Sequence, residues 1–220
     1  MNERDEPDVK EYTQESIDIH PDAKKDIINM LDFSGSNGEG KRSIAVFDLD
    51  NTIIDQRTAT PMEGMMEVVR ACKRNDLLVV IITARPDDRF NDNATEITSL
   101  SELKTGGDRV RSQNRDWTLD EIKKAGIPVE TENVYLQFTD AFPYGEEEST
   151  VFFKKATRDF VKEFHKDRDL GITFLFGDNC WDLTSSDSVG NIDLNDIQSQ
   201  KNKCVVIRTN DKVMVKLPTQ

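Results

Sequence analysis

Asp48 and Asp50 stand two residues apart at the end of the apolar run Ser43-Ile44-Ala45-Val46-Phe47, and Asn51 and Thr52 follow directly. Alternate residues of an extended chain share a side, so both carboxylates would project together from a strand end. Carboxylates that close repel one another, and a cation or a shared proton relieves the repulsion. Hard oxygen donors of this kind suit Mg²⁺, which also takes phosphate oxygens and keeps some of its own waters. A pair of aspartates that caps a turn is the plainer alternative, and Asp-x-Asp alone does not separate the two.

Three further groups along the chain carry chemistry. The run Leu77-Leu78-Val79-Val80-Ile81-Ile82 ends in Thr83-Ala84-Arg85, where the Thr83 hydroxyl and the following backbone N–H groups, that of Ala84 among them, could hold a phosphate oxygen. Arg85 either adds a charge-assisted bond to that site or pairs with a surface acid. Lys154 and Lys155 open a helical pattern marked by Phe153, Ala156, Phe160 and Phe164. A lysine there can neutralise a phosphate and an attacking carboxylate together. Beyond Ile172-Thr173-Phe174-Leu175-Phe176 the run Gly177-Asp178-Asn179-Cys180-Trp181-Asp182 supplies Asp178 and Asp182 as further candidate metal ligands.

The elements that must position these groups follow from pattern. Residues 44–47 are too few for a helix and are rich in β-branched and aromatic types, as in a strand buried on both faces. Met62, Met65, Met66, Val69 and Cys72 recur at helical spacing behind Pro61, which suits a first helical turn, and a second strand begins after Asn75. Strand, helix, strand implies a right-handed crossover and a parallel sheet. Ligands of such sheets bind in the crevice at the carboxyl ends of the strands, where all the residues above would meet. Thr118 and Glu121 match a capping box, Gly126 and Pro128 would end that helix, and strands are expected at 134–138 and 204–207. The stretch 140–150, with three consecutive glutamates, reads as an exposed loop, and 185–203 as loop with a weak helical piece.

An apolar run ending in Asp-x-Asp-x-Thr, a second strand ending in Thr, a Lys, and an acidic pair after a third strand together resemble the four signatures of the haloacid dehalogenase (HAD) superfamily of phosphohydrolases. Lys154 with Arg158 four residues later is similar to the Lys-x-x-x-Arg arrangement of its class B and class C acid phosphatases, and this favours Lys154 over Lys155. Gly-Asp-Asn-x-x-Asp at 177–182 points the same way. The resemblance covers about 43–207 and implies an α/β fold, a doubly wound and mainly parallel sheet with helices on both faces and a small cap or none. It implies a phosphatase in which Asp48 attacks phosphorus to form an aspartyl-phosphate and Asp50 serves as general acid and then base. Mg²⁺ would be held by Asp48, the Asp50 main-chain carbonyl and Asp178, with Asp182 acting nearby through water, and Lys154 and Thr83 would assist. The segment at about 87–115 has no counterpart in those enzymes, and neither does the lack of an export signal in a chain charged from Glu3 onward.

The 220 residues suit one α/β domain over 41–220. Residues 1–40 hold 11 acidic and 4 basic side chains, a net of −7 out of −13 for the chain, and read as a flexible extension, solvated or docking a partner, with one short helix at 21–33 and a linker at 34–40. Such acidity argues against a general nucleic-acid surface, leaving at most a phosphorylated DNA end near Lys104, Arg109, Arg111 and Arg115 in the segment 87–115, which otherwise reads as a solvated loop. Cys72, Cys180 and Cys204 are too scattered for a disulfide framework or a zinc knuckle, and His20 and His165 are the only histidines. No apolar run approaches membrane-spanning length. The expectation is a soluble, cytoplasmic phosphomonoester hydrolase acting on a small phosphorylated substrate. A polynucleotide 3'-phosphatase or a nucleotidase is the near alternative, and a non-catalytic module of the same fold the distant one.

Overall fold

The protein is described from a computed structural model, and the residues described are 9–13, 18–36, 43–87, 113–138, 146–166, 171–178, 182, 204–209 and 212–216. In chain order they form β1 (Val9–Thr13), α1 (Pro21–Ser36), β2 (Ser43–Phe47), β3 (Ile54–Asp55), β4 (Thr60–Pro61), α2 (Glu63–Arg74), β5 (Leu78–Asp87), α3 (Gln113–Lys124), β6 (Val134–Phe138), α4 (Glu146–Phe164), β7 (Gly171–Gly177), β8 (Cys204–Thr209) and β9 (Lys212–Lys216). A seven-stranded sheet runs in the order β1-β9-β8-β7-β2-β5-β6. Its five strands from β8 to β6 are parallel, whereas β9 and β1 are antiparallel additions at one edge.

Alternation along the strands explains why both faces are covered. Ala45, Phe47, Val79, Ile81, Val134, Leu136, Phe174 and Phe176 share one core with Met65, Met66, Val69 and Cys72 of α2, Ile122 of α3, and Ile27 and Leu31 of α1. The intervening Ile44, Val46, Val80, Ile82, Tyr135 and Leu175 are also buried, and α4 packs there on β5, β6 and β7. Side chains two apart face the same way, so apolar residues at every position of a strand demand a layer on each side. The doubly wound α/β sheet expected from sequence is therefore the observed architecture.

The acidic segment 1–40 departs from a flexible extension where it is described. β1 adds to the sheet through β9, and α1 runs three residues past the expected helix, into the expected linker. Ala23, Ile27 and Leu31 form its buried stripe, which packs on α2, and Ile19 just ahead of the helix is buried with them. Asp18 accepts hydrogen bonds from the Gly64 and Met65 N–H groups at 2.6 and 3.3 Å, capping α2 from 46 residues away, because the N-cap residue Met62 offers no side-chain bond. A β-carbon on Gly64 would lie 2.6 Å from Ile19 Cγ2, so the close approach requires glycine.

Several boundaries move. Pro61 belongs to the small hairpin β3–β4, and α2 begins at Glu63. β5 does not end at Thr83 but continues to Asp87, with an irregularity against β6 between Thr83 and Pro86. A break of this kind accommodates a proline, which has no N–H to give to the ladder. Thr118 does not cap a helix, since α3 starts at Gln113 and leaves Thr118 buried inside it. Gly126, with φ of 69°, does end α3, its N–H bonding to Lys123 O at 3.1 Å. Glu146 to Glu148, expected in a loop, begin α4. The insertion expected at 87–115 falls mostly on 88–112, outside the described residues, as do Cys180, Trp181 and 185–203.

Candidate active site

Asp48 follows β2 directly, and its N–H bonds to Phe176 O at 2.9 Å, carrying the β2–β7 pairing one residue further. The chain then turns tightly: Ile53 and Ile54 N–H both reach Leu49 O, at 2.9 and 3.0 Å. Asn51 adopts φ of 55°, a left-handed conformation that asparagine tolerates better than most residues. This turn sends Asp48 and Asp50 to different partners.

Asp48 joins Asp178, just beyond β7, and Asp182, and one carboxylate oxygen of each lies within 4.8 Å of the others. Asp48 and Asp182 are buried and Asp178 is half-buried. Lys154, 2% exposed on α4, places Nζ 2.8 Å from Asp48 Oδ1 and also donates to Asp182 Oδ1. One helical turn on, Arg158 donates to the Asp182 main-chain carbonyl at 3.0 Å. Gly177 is required at the end of β7, because a β-carbon there would lie 2.6 Å from Asp182 Cγ.

Charge and burial compete in this cluster. Burial raises the Asp48 carboxyl well above the usual carboxylate range; Lys154 lowers it again, and Asp182 adds to the rise. Burial alone would lower the Lys154 ammonium, but the charges of Asp182 and Asp48 outweigh it and raise it. Burial lowers Arg158 to about 10 against the opposing pull of Asp182 and Asp159. Three carboxylates exceed the two cations Lys154 and Arg158, and a hard divalent cation fits that oxygen donor set and its residual charge.

Asp50 lies outside the acidic trio. Its carboxylate is gripped by Arg85, with Nε 2.8 Å from Oδ2 and Nη2 2.6 Å from Oδ1. Arg85 Nη1 donates to Glu121 Oε2 at 2.6 Å, and its guanidinium carbon sits 5.2 Å from the centroid of the exposed Trp117 ring. Neither Glu121 nor Trp117 was a candidate from sequence, although their spacing of four on a helix that follows Arg85 was a usable signal.

Thr83 is fully buried, and its hydroxyl accepts the Arg85 N–H at 3.3 Å. Ala84 is exposed. Lys155 is half-buried on α4, and Lys154 is the lysine that reaches Asp48. Phe164 is exposed, whereas Val151, Phe153, Lys154, Thr157, Arg158 and Val161 form the buried face of α4, so the expected apolar stripe is rotated toward the site.

Among the described residues, no helix is long and apolar enough to cross a membrane. No protein-family model matches the sequence, and no curated protein matches it. Two solved structures of the class C acid phosphatase from Bacillus anthracis, one of them with tungstate bound, are similar at 18% identity and a TM-score of 0.46. The match covers 74% of this chain and 64% of theirs, so the chain spans less than two thirds of their length.

Proposed function

We propose that the chain is a Mg²⁺-dependent phosphomonoester hydrolase that works through an aspartyl-phosphate on Asp48, with residues 41–220 as its catalytic unit. The observation that carries this reading is the meeting of Asp48, Asp178 and Asp182 within 4.8 Å, with Lys154 Nζ 2.8 Å from Asp48, at the carboxyl ends of β2 and β7. An oxygen cluster that acidic, beside a buried lysine, is suited to receive a phosphate dianion together with a cation.

A carboxylate oxygen of Asp48 attacks phosphorus as the bond to the leaving oxygen breaks. Asp50 gives its proton to that oxygen, and the bonding electrons stay with the leaving group. As carboxylate, Asp50 then takes a proton from the water that attacks the aspartyl-phosphate, which frees Asp48 and inorganic phosphate. Lys154 offsets the mutual repulsion of Asp48 and the incoming phosphoryl group, while the Thr83 hydroxyl and the Ala84 N–H hold its oxygens. Arg158 braces Asp182 through its main-chain carbonyl. Asp48, Asp178, Asp182 and the Asp50 carbonyl would hold Mg²⁺, which when bound neutralises charge on the transferring group.

The test is turnover of para-nitrophenyl phosphate by purified protein with Mg²⁺, with chelator, and with Asp48→Asn. Metal-dependent turnover that disappears in the variant is expected. Absence of turnover here and across a wider set of phosphomonoesters, including nucleotides and 3'-phosphorylated DNA, would sink the reading.

A further inference from the structure

The Arg85 fork does work that the phosphoryl-transfer scheme leaves unassigned. A guanidinium that meets a carboxylate through Nε and Nη2 fixes both oxygens in one plane, so the carboxylate cannot turn without losing two charge-assisted bonds. Arg85 cannot follow such a turn either. Its third nitrogen is tied to Glu121 at 2.6 Å, and Trp117, one helical turn before Glu121, lies 5.2 Å from its guanidinium carbon. The main-chain N–H of Arg85 is held by the Thr83 hydroxyl, so both ends of the residue are anchored. Each carboxylate oxygen carries two lone pairs and the fork takes one from each, which leaves Asp50 one outward site on each oxygen, both in the plane that the fork fixes.

Resting on the phosphatase reading above, we propose that Arg85, seated by Glu121 and Trp117, is a positioning residue that aims the Asp50 carboxyl at the leaving oxygen. Helix α3 thereby sets the efficiency of leaving-group protonation. An ion pair that merely tied α3 to β5 would serve the fold, and its loss would slow every substrate alike. A positioning role has a different signature, because its loss matters only where the leaving oxygen needs a proton. An alkoxide does, and a dinitrophenolate leaves as a stable anion.

The experiment compares kcat and KM for ethyl phosphate and 2,4-dinitrophenyl phosphate in saturating Mg²⁺. Wild type is set beside Arg85→Lys, Glu121→Gln, Trp117→Ala and Trp117→Phe, all first checked by circular dichroism. Lysine keeps the charge but not the fork. General acid catalysis is worth about 10²-fold or more, so kcat for ethyl phosphate should fall in Arg85→Lys at least about tenfold further than kcat for the aryl ester, with KM little changed. Glu121→Gln and Trp117→Ala should shift the ratio in the same direction by a smaller factor, and Trp117→Phe, which keeps an aromatic face, should restore it. Equal proportional losses on both esters, or an unchanged ratio in all variants, would overturn the positioning role while leaving the phosphatase reading intact. Should Arg85→Lys fail to fold, the Glu121→Gln ratio decides. A wild-type protein that turns over neither ester nor any of the wider set of phosphomonoesters overturns the phosphatase reading itself, and the positioning role with it; if it takes only others of that set, the same ratio is read on an alkyl and an aryl ester that it does take.

Discussion

Replacing Lys154 by Met tests whether the acidic cluster is held together by one ammonium. Methionine matches the length of the lysine stem, so little cavity is created at a position only 2% exposed. What disappears is the charge between Asp48 and Asp182. Two unit charges 4.8 Å apart repel by about 3.5 kcal/mol at an effective dielectric constant of 20, and breaking a buried ion pair from one side typically costs about 3 to 5 kcal/mol. For a chain of this size that is a fall in Tm of about 6 to 20 °C. The sign with pH follows from the same residues. Burial holds the Asp48 carboxyl up from 3.8 to about 7 even against the lowering pull of Lys154. Without the lysine it rises further, and the folded state holds that proton more tightly than the unfolded chain does. The stabilising effect of the proton is complete below the unfolded value and is lost as pH climbs through the folded one. The variant should therefore suffer most at pH 8 and recover toward wild type near pH 4. Thermal melts in chelator at pH 8, 6 and 4 measure this, and Mg²⁺ at pH 8 should recover part of the loss by binding the folded form. A variant that melts within about 2 °C of wild type at pH 8 would refute the electrostatic account of the site.

Helix propensity alone favours Gly64→Ala by about 0.8 to 1 kcal/mol, but the β-carbon would press on Ile19 and Asp18. A net loss of about 1 to 2 kcal/mol is expected, and a rise in denaturant midpoint would contradict the packing argument. Gly177→Ala should displace Asp182 and weaken Mg²⁺ at least about tenfold by calorimetric titration, an expectation that fails if affinity stays at the wild-type value. Because burial raises Asp48, Mg²⁺ must displace a proton there; apparent affinity should increase from pH 5 to pH 8, and a flat profile would exclude that linkage. Burial pushes the Cys72 thiol from 9.0 up to about 12, so iodoacetamide at pH 8 should leave it unmodified in the folded protein, and stability should decline as pH passes about 9, where the unfolded chain exposes thiolate. Rapid alkylation under native conditions would show that α2 opens readily.

The sheet was legible where strands are apolar at nearly every position, because burial on both faces is written into 44–47, 78–82 and 174–176 without reference to any partner. The edge was not. Val-Lys-Glu-Tyr-Thr of β1 finds its place only by pairing with β9, some two hundred residues on, and no local pattern announces so distant a neighbour. Local signals misled where a tertiary contact claimed the residue: Thr118 and Glu121 have capping-box spacing, yet α3 starts upstream and Glu121 is held by Arg85. On α4 the sequence offered Phe153, Ala156, Phe160 and Phe164 as the buried face; packing buries Phe153 but exposes Phe164, and buries Lys154 and Arg158 as well. A cation in an apolar layer is costly unless acids meet it, and those acids arrive from Asp48 and Asp182 on other parts of the chain.

The different surroundings of the Asp48 and Asp50 side chains were the least legible feature: the resemblance implied separate roles for them, but their spacing alone placed both on one side of a strand end. Two residues of the same type, two positions apart, would be interchangeable if only their spacing mattered. The turn at Asn51 and the Arg85 fork make them different. Asp48 is pressed into an acidic, lysine-bearing cluster that a cation can complete, whereas the Asp50 side chain is drawn 2.6 to 2.8 Å from a guanidinium that belongs to β5 and answers to α3. Phosphomonoester hydrolysis asks for that asymmetry, with one carboxylate beside the phosphorus and one beside the leaving oxygen. Reversing the Arg85–Glu121 ion pair, by Arg85→Glu with Glu121→Arg, should thus abolish turnover of ethyl phosphate even though the net charge of the pair is unchanged; retention of activity in that double variant would mean that Asp50 needs no fork to be aimed.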